Sequence, residues 1–386
     1  MSVVAAKGFR AAGVDAGIKK GESLDLTLVV SDHEAAAAGT FTQNRAAAAP
    51  VRLDRRHLAD GRARAIVCNS GVANAATGPK GDLVALGTAR AAAKLLGIDA
   101  TDVLVCSTGL IGEQLDGPKV GAGLGVAVTK LGATEQHGLD AATAIMTTDS
   151  VPKLAHTHLD GWSIGGMSKG AGMIRPNMAT MLGFVTTDAS VPADLLQKAL
   201  RDAVDVSFNC LDIDGAASTN DTVLVLANGA SGVTPDAEAF AQALRATCTV
   251  LATKIAEDAE GASRLVTLRV EGAATDDDAR RLGRAMCDSA LVRAAFYGGD
   301  PNWGRLLSAC GETDVEFALD QFSVAYNGTI VAAEGVKADV DRAWLRERLT
   351  EGPLDVLVRV GGGPGKARML TTDLTPQYVE FNAEYS

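Results

Sequence analysis

The chain has 386 residues, 47% of them hydrophobic and 22% charged, so it can bury a sizeable core and is long enough for two or three coupled lobes. The formal net charge is −11 and no long basic run appears, which argues against a nucleic-acid partner held by clustered Lys and Arg. No apolar run approaches the about 18 residues needed to span a bilayer, and Lys7 and Arg10 interrupt the N-terminal MSVVAAKGFRAAG, so neither a membrane span nor a signal peptide is expected.

Elements follow in chain order from apolar spacing and from the residues that bound each run. Short strand-like runs stand at 26–30 and 65–68, a helical stretch at 82–96, and a further strand at 103–106. A strand is predicted at 181–186 and a helix at 193–204, where Pro192 suits a first helical turn and Asp194 favours the positive end of the helix dipole. A strand at 222–227, a helix at 236–258, a strand at 264–270, a helix at 276–295 and strands at 322–326 and 354–360 complete the pattern. Helices and strands alternate only loosely, which favours an α/β sandwich over a doubly wound parallel sheet. The six cysteines stand far apart with no CxxC pair, and read as small buried hydrophobes of a reduced, cytoplasmic protein.

Three motifs invite chemistry and fail on detail. In Gly361-Gly362-Gly363-Pro364-Gly365-Lys366, Val360 stands where a phosphate loop needs its first glycine, and Ala367 replaces the Mg²⁺-binding hydroxyl. His156 and His158 lack a third ligand at a zinc spacing. Asp212-x-Asp214-Gly215 opens like a calcium loop, but no Glu stands at the twelfth position.

The informative stretch runs from Lys169-Gly170-Ala171-Gly172-Met173 to Met178-Ala179-Thr180-Met181-Leu182. Glycines and a proline lead into Ala179-Thr180 and an apolar run follows, a layout that can set a hydroxyl at the start of a strand. A threonine hydroxyl is a weak nucleophile without a base. Cutting the bond before Thr180 would create an α-amine on the same residue, with a reference pKa of about 7.7–8.0. An ordinary turn entering a buried strand has the same spacing.

Further motifs accompany that stretch: Gly8-Phe9-Arg10-Ala11-Ala12-Gly13, Asn69-Ser70-Gly71-Val72-Ala73-Asn74-Ala75, Ser107-Thr108-Gly109-Leu110-Ile111-Gly112, Ile145-Met146-Thr147-Thr148-Asp149, Ser218-Thr219-Asn220-Asp221-Thr222, Asp258-Ala259-Glu260-Gly261, Asp300-Pro301-Asn302-Trp303-Gly304-Arg305 and Asn382-Ala383-Glu384-Tyr385-Ser386. In this order, nearly end to end, the chain resembles the ornithine acetyltransferase family, also called the arginine-biosynthesis bifunctional protein ArgJ. It departs from the usual family ending in closing on Ser386 rather than Thr, which keeps a hydroxyl.

The resemblance implies a DmpA/ArgJ-like αββα sandwich that cuts itself between Ala179 and Thr180, giving chains 1–179 and 180–386. It implies transfer of acetyl from N2-acetylornithine to L-glutamate through an ester on Thr180, with no metal or organic cofactor. Thr108 and Gly109 match the family's oxyanion-hole pair. Substrate contacts carry over to Thr147 or Thr148, Lys169, Thr180, Glu260, Asn382 and Ser386, with Glu260 suited to ornithine's ammonium. The Asp300–Arg305 motif reads as architectural. Two chains of each kind are expected to assemble as a heterotetramer, and acetyl-CoA as an additional donor is left open. An aminopeptidase or amidase of the same self-cleaving type, and a silent binding protein, are the competing functions.

Overall fold

Short apolar runs, buried on both faces at Trp162–Lys169, Leu182–Thr187 and Thr222–Ala227, build the strands, and three-to-four spacing builds the helices. The structure, a computed structural model, describes residues 2–175 and 181–384. They fall into two units, one from residues 2–171, 181–209 and 217–255, the other from 172–175, 210–216 and 256–384.

The first unit holds strands β1 (Phe9–Val14), β2 (Leu26–Phe41), β3 (Arg62–Val72), β4 (Val103–Leu110), β5 (Lys153–Leu159), β6 (Trp162–Lys169), β7 (Leu182–Thr187) and β8 (Thr222–Ala227). Their order in one sheet is β4-β3-β2-β8-β7-β6-β5, with β1 on β2. The pairs β3–β4 and β7–β8 are parallel and the other pairs antiparallel. Helices α1 (Ala49–His57), α2 (Gly78–Leu96), α3 (Gly117–Thr129), α4 (Glu135–Ala144), α5 (Ala193–Asp205) and α6 (Ala237–Glu257) accompany it. Period-two alternation divides the strand residues between two cores. Leu28, Ala65, Val67 and Val105 pack with Leu53 of α1, Ala89 of α2 and Leu124 of α3. Val29, Ile66, Leu104, Phe184 and Leu224 pack with Ala141 and Ala142 of α4.

Only 4% of the residues are aromatic, and small side chains carry much of the packing here. Helix α2 buries Ala85, Ala89, Ala92 and Ala93, and α4 lies so close to β1 that a Cβ on Gly13 would run into the carbonyl of Asp140. Helix α2 starts four residues before the expected position, with Pro79 in its first turn, and stops at Gly97, whose φ of 69° suits glycine. Pro192 is the N-cap of α5 rather than part of its first turn, and Asp194 occupies that turn as expected. Strand β2 runs to Phe41, well past the expected end at residue 30, because its second half is held by β8 although its alanines have little strand preference.

The second unit holds β9 (Leu265–Ala273), β10 (Ser323–Tyr326), β11 (Thr329–Ala333), β12 (Val336–Lys337), β13 (Leu354–Arg359) and β14 (Gly365–Thr372), in the order β12-β11-β10-β13-β9-β14. Among these strands β9 and β13 pair in parallel and the other pairs are antiparallel. Helices α7 (Asp276–Asp288), α8 (Ala290–Tyr297), α9 (Trp303–Gly311), α10 (Arg342–Arg348) and α11 (Pro376–Glu384) belong to it. Its core joins Val266, Leu268 and Val270 of β9 to Leu282 and Met286 of α7. The single helix expected over 276–295 is two. Ser289 leaves helical geometry at ψ 111° and its hydroxyl caps α8 by accepting from the Val292 amide. Asn302 likewise caps α9, and Asp300 accepts from Arg342 at 2.7 Å, which is what the Asp300–Arg305 motif does locally. All six cysteines are buried thiols, and among the described residues no helix is long and apolar enough to cross a membrane.

Candidate active site

Strands β3 and β4 end side by side, with Ser70 opposite Thr108 and Gly71 opposite Gly109. Gly109 has φ 129°, and a Cβ there would run into the Gly71 carbonyl, so glycine alone fits. Thr108 is buried. Its Oγ1 accepts from Lys169 Nζ at 3.3 Å. A hydroxyl that accepts from an ammonium keeps its own hydrogen for another acceptor, and the cationic donor polarises it. That suits a group meant to stabilise a developing oxyanion.

The loop after α4 is placed by strand hydroxyls. Thr27 Oγ1 donates to the Ala141 carbonyl and Ser70 Oγ to the Ala144 carbonyl, each at 2.6 Å. Lys19 Nζ then donates to the Met146 carbonyl at 2.8 Å, ahead of Thr147 and Thr148, both half-buried. Asp149 closes the loop. It accepts from Lys153 Nζ at 2.6 Å, Gly170 N at 2.7 Å and Thr147 N at 3.0 Å, and lies 4.0 Å from Lys169 Nζ. Lys153 and Lys169, at the two hairpin-paired strands β5 and β6, are 0% and 2% exposed. Burial by itself would raise the Asp149 carboxyl, but the two ammonium groups and the Gly170 amide overcome it and bring it down to about 2. Two buried ammonium groups thus sit beside one carboxylate, and such a group is suited to a substrate carboxylate. Burial lowers the neighbouring Lys19 and pushes the Cys68 thiol up to about 12, so that thiol is no nucleophile.

In the second unit, Glu260 is half-buried and its carboxylate lies against Gly172, where any Cβ would collide with it. Asn382, exposed on α11, donates to Glu260 Oε2 at 3.2 Å. The Asp212–Gly215 segment, which resembled a calcium loop, instead grips the chain leading to residue 176. Asp214 accepts from Met173 N at 2.6 Å and Ile174 N at 2.9 Å, and Arg175 pairs with Asp288 at 3.2 Å. Met173 is a non-glycine at φ 55°. Tyr378 lies under the Arg293 guanidinium at 5.7 Å, and burial raises its hydroxyl to about 12.

Of the residues singled out in the sequence, Lys169 links Thr108 to Asp149 and Thr147 donates its amide to Asp149 in one unit, with Gly109 and Thr148 as chain neighbours, and Glu260 pairs with Asn382 in the other. Ala179, Thr180 and Ser386 lie outside the described residues. Asp149, Asn220 and Asp221 sat inside recognised motifs without a role, and Lys153 carried no local signal. Among the described residues no His, Cys, Asp or Glu cluster is arranged to hold a metal ion, and the His156–His158 pair on β5 makes an edge-on ring contact.

A family model described as the ArgJ family matches residues 10–386. The Thermobifida fusca protein named arginine biosynthesis bifunctional protein ArgJ is 48% identical over 388 residues, covering 100% of both chains. The protein of that name from Streptomyces coelicolor is 47% identical over 387 residues with the same coverage. Among solved structures, the arginine biosynthesis bifunctional protein ArgJ of Bacillus halodurans is similar at 34% identity and a TM-score of 0.51, covering 52% of this chain and 98% of that one.

Proposed function

This chain belongs to the ArgJ family, and from that membership we propose that it is a glutamate N-acetyltransferase of arginine biosynthesis, moving acetyl from N2-acetylornithine to L-glutamate through an ester on Thr180. The observation that carries the reading is the buried Lys169–Thr108 contact beside Gly109, a donor pair with the hydroxyl polarised from behind. The αββα architecture comes with the family. Water as the final acceptor, giving an amidase, uses the same groups and differs only in what collects the acetyl.

The precursor first cuts itself. The Thr180 hydroxyl adds to the Ala179 carbonyl carbon, the Thr180 nitrogen leaves as an amine with the hydroxyl proton, and water hydrolyses the resulting ester. The products are chains 1–179 and 180–386. Support comes from the Bacillus halodurans structure, whose solved chain is matched along 98% of its length by only 52% of this chain, the share expected of one processed chain. In turnover the new amine takes the Thr180 proton and the oxygen attacks the acetyl carbonyl of N2-acetylornithine. Thr108 and the Gly109 amide stabilise the oxyanion, the proton passes to the leaving ornithine amine, and acetyl-Thr180 remains. The glutamate amine then attacks the ester carbonyl, the Thr180 oxygen leaves, and the amine's proton returns to it through the Thr180 α-amine, releasing the acetylated glutamate. Lys169, Asn382, Ser386 and Thr147 or Thr148 bind substrate carboxylates, and Glu260 receives ornithine's ammonium. No metal or organic cofactor enters these steps. Assembly as a heterotetramer and a cytoplasmic location complete the proposal.

Intact-mass measurement tests it. Active enzyme contains a chain starting at Thr180 and gains one acetyl group on that chain when given N2-acetylornithine. Thr180→Ala stays one chain and is inactive. Labelled acetyl passes to glutamate rather than appearing as acetate. Release of acetate alone establishes the amidase reading instead, and active enzyme without a chain beginning at Thr180 refutes the mechanism.

A further inference from the structure

Strand β4, which carries Thr108 and Gly109, and strand β7, which begins two residues after Thr180, are not neighbours in the sheet; β3, β2 and β8 stand between them. Ladder hydrogen bonds relate the two only through three intervening strands, and the β2–β3 register shifts between Val30 and Ala35. A shorter tie exists at the turn that opens β8. Asn220 Nδ2 donates to the Ser107 carbonyl at 2.8 Å and to the Ala73 carbonyl at 2.6 Å. Thr219 Oγ1 donates to Asn220 Oδ1 at 2.6 Å, which sets the amide with its nitrogen toward those carbonyls. The next residue, Asp221, accepts from the Met181 amide at 2.9 Å, and Thr222 N donates to the Met181 carbonyl at 3.2 Å. Ser107 and Met181 are the chain neighbours of Thr108 and Thr180.

We propose that Asn220 and Asp221 are positioning residues, a bracket of two adjacent side chains that fixes the start of β7 relative to the Thr108–Gly109 arm. The proposal rests on the reading that Thr180 and Thr108 are the nucleophile and the oxyanion donor. Effective attack needs atoms placed within about 1 Å, and a misplacement of that size costs on the order of 10² in rate. Two consecutive residues of one turn are a stiff spacer, since the peptide bond between them is planar. Both are buried, at 6% and 0% exposure, so water does not compete for these bonds. Burial raises the Asp221 carboxyl well above the usual carboxylate range, while the Met181 amide and the Thr42 side chain pull it back. Asparagine offers the same acceptor geometry, and alanine offers none.

The test uses the full-length enzyme with Asn220→Ala, Asp221→Asn, Asp221→Ala, Thr108→Val and the double variant Thr108→Val/Asn220→Ala. Self-cleavage, kcat and KM for N2-acetylornithine, and the thermal midpoint are measured together. Asn220→Ala and Asp221→Ala lower kcat by on the order of 10²-fold and leave KM within about threefold, while Asp221→Asn keeps kcat within about threefold of wild type. In the Thr108→Val background, Asn220→Ala costs less than about tenfold more, because its effect passes through the group already removed. Should Asn220→Ala not accumulate as folded protein, Asn220→Ser, too short to reach both carbonyls, carries the same expectation. Folded variants with wild-type kcat, or full additivity of the Thr108 and Asn220 losses, overturn the bracket. Wild-type enzyme that transfers no acetyl overturns the functional reading instead, so the two failures are told apart.

Discussion

Replacing Asp149 by asparagine tests the electrostatics of the site most directly. The side chain keeps its shape, but Lys153 and Lys169, 0% and 2% exposed, lose the carboxylate that lies 2.6 Å and 4.0 Å from their ammonium groups. Two magnitudes compete. The carboxyl's fall from 3.8 to about 2 corresponds to roughly 2 kcal/mol of native-state preference for the charged form. Removing one partner of a buried ion pair, which strands its counterpart, costs about 3–5 kcal/mol. The second governs, because the substitution withdraws a carboxylate from beside two buried ammonium groups. At about 2–4 °C per kcal/mol for a unit of this size, the midpoint of thermal unfolding should drop by on the order of 10 °C at pH 7. Adding Lys153→Met to Asp149→Asn removes one stranded charge and should recover at least half of the loss. The pH dependence has a definite sign. Asp149 has a depressed native pKa, so its contribution is complete above about pH 4 and is lost as pH falls through about 2. The gap between wild type and variant therefore narrows over that interval. The assay is circular dichroism melting across pH for the three proteins. A single variant as stable as wild type, or a double variant no more stable than the single one, would refute the reasoning.

Three other outcomes are expected. Thr108→Val keeps the packing and removes the polarised hydroxyl, so kcat for acetyl transfer should fall on the order of 10²–10³-fold while the chain still folds; a loss below tenfold, measured by steady-state kinetics, removes Thr108 from the oxyanion hole. Gly109→Ala forces a Cβ into the Gly71 carbonyl at φ 129° and should lower both melting temperature and kcat, whereas an unchanged melting profile would contradict the described approach of β3 and β4. Glu260→Gln keeps an acceptor for Asn382 but drops the charge, so use of N2-acetylornithine should weaken by about 1.5–3 kcal/mol, chiefly in KM. The glutamate half-reaction should be spared, and equal losses in both half-reactions show that Glu260 supports the fold instead.

Much of the strand framework was legible because strands buried on both faces read as short continuous apolar runs bounded by turn residues. The strand expected at 222–227 coincides with β8, and those at 65–68 and 103–106 lie inside β3 and β4. The failures share a cause. The alanines of β2 carry little strand preference, and β8 holds them in the sheet. Residues 276–295 have unbroken helical spacing, and only the Ser289 hydroxyl bond to Val292 marks the break. The site divides the same way. Thr108, Gly109, Lys169 and Glu260 are proposed because they sit in ordered motifs of one family, not because spacing exposed their chemistry.

By itself, then, the sequence determined the family and the α/β class and pointed to the groups proposed to react, since these follow from residue type and order along the chain. Tertiary structure decided how those groups are charged and placed. Asp149 and Lys153 are four residues apart and look like an ordinary surface pair until both are buried and Lys169 arrives from the next strand. Asn220 and Ser107 are 113 positions apart, and nothing local signals that they meet. A hydrogen bond or an ion pair depends on distance and solvent access in three dimensions, and a linear sequence records neither until the chain has folded.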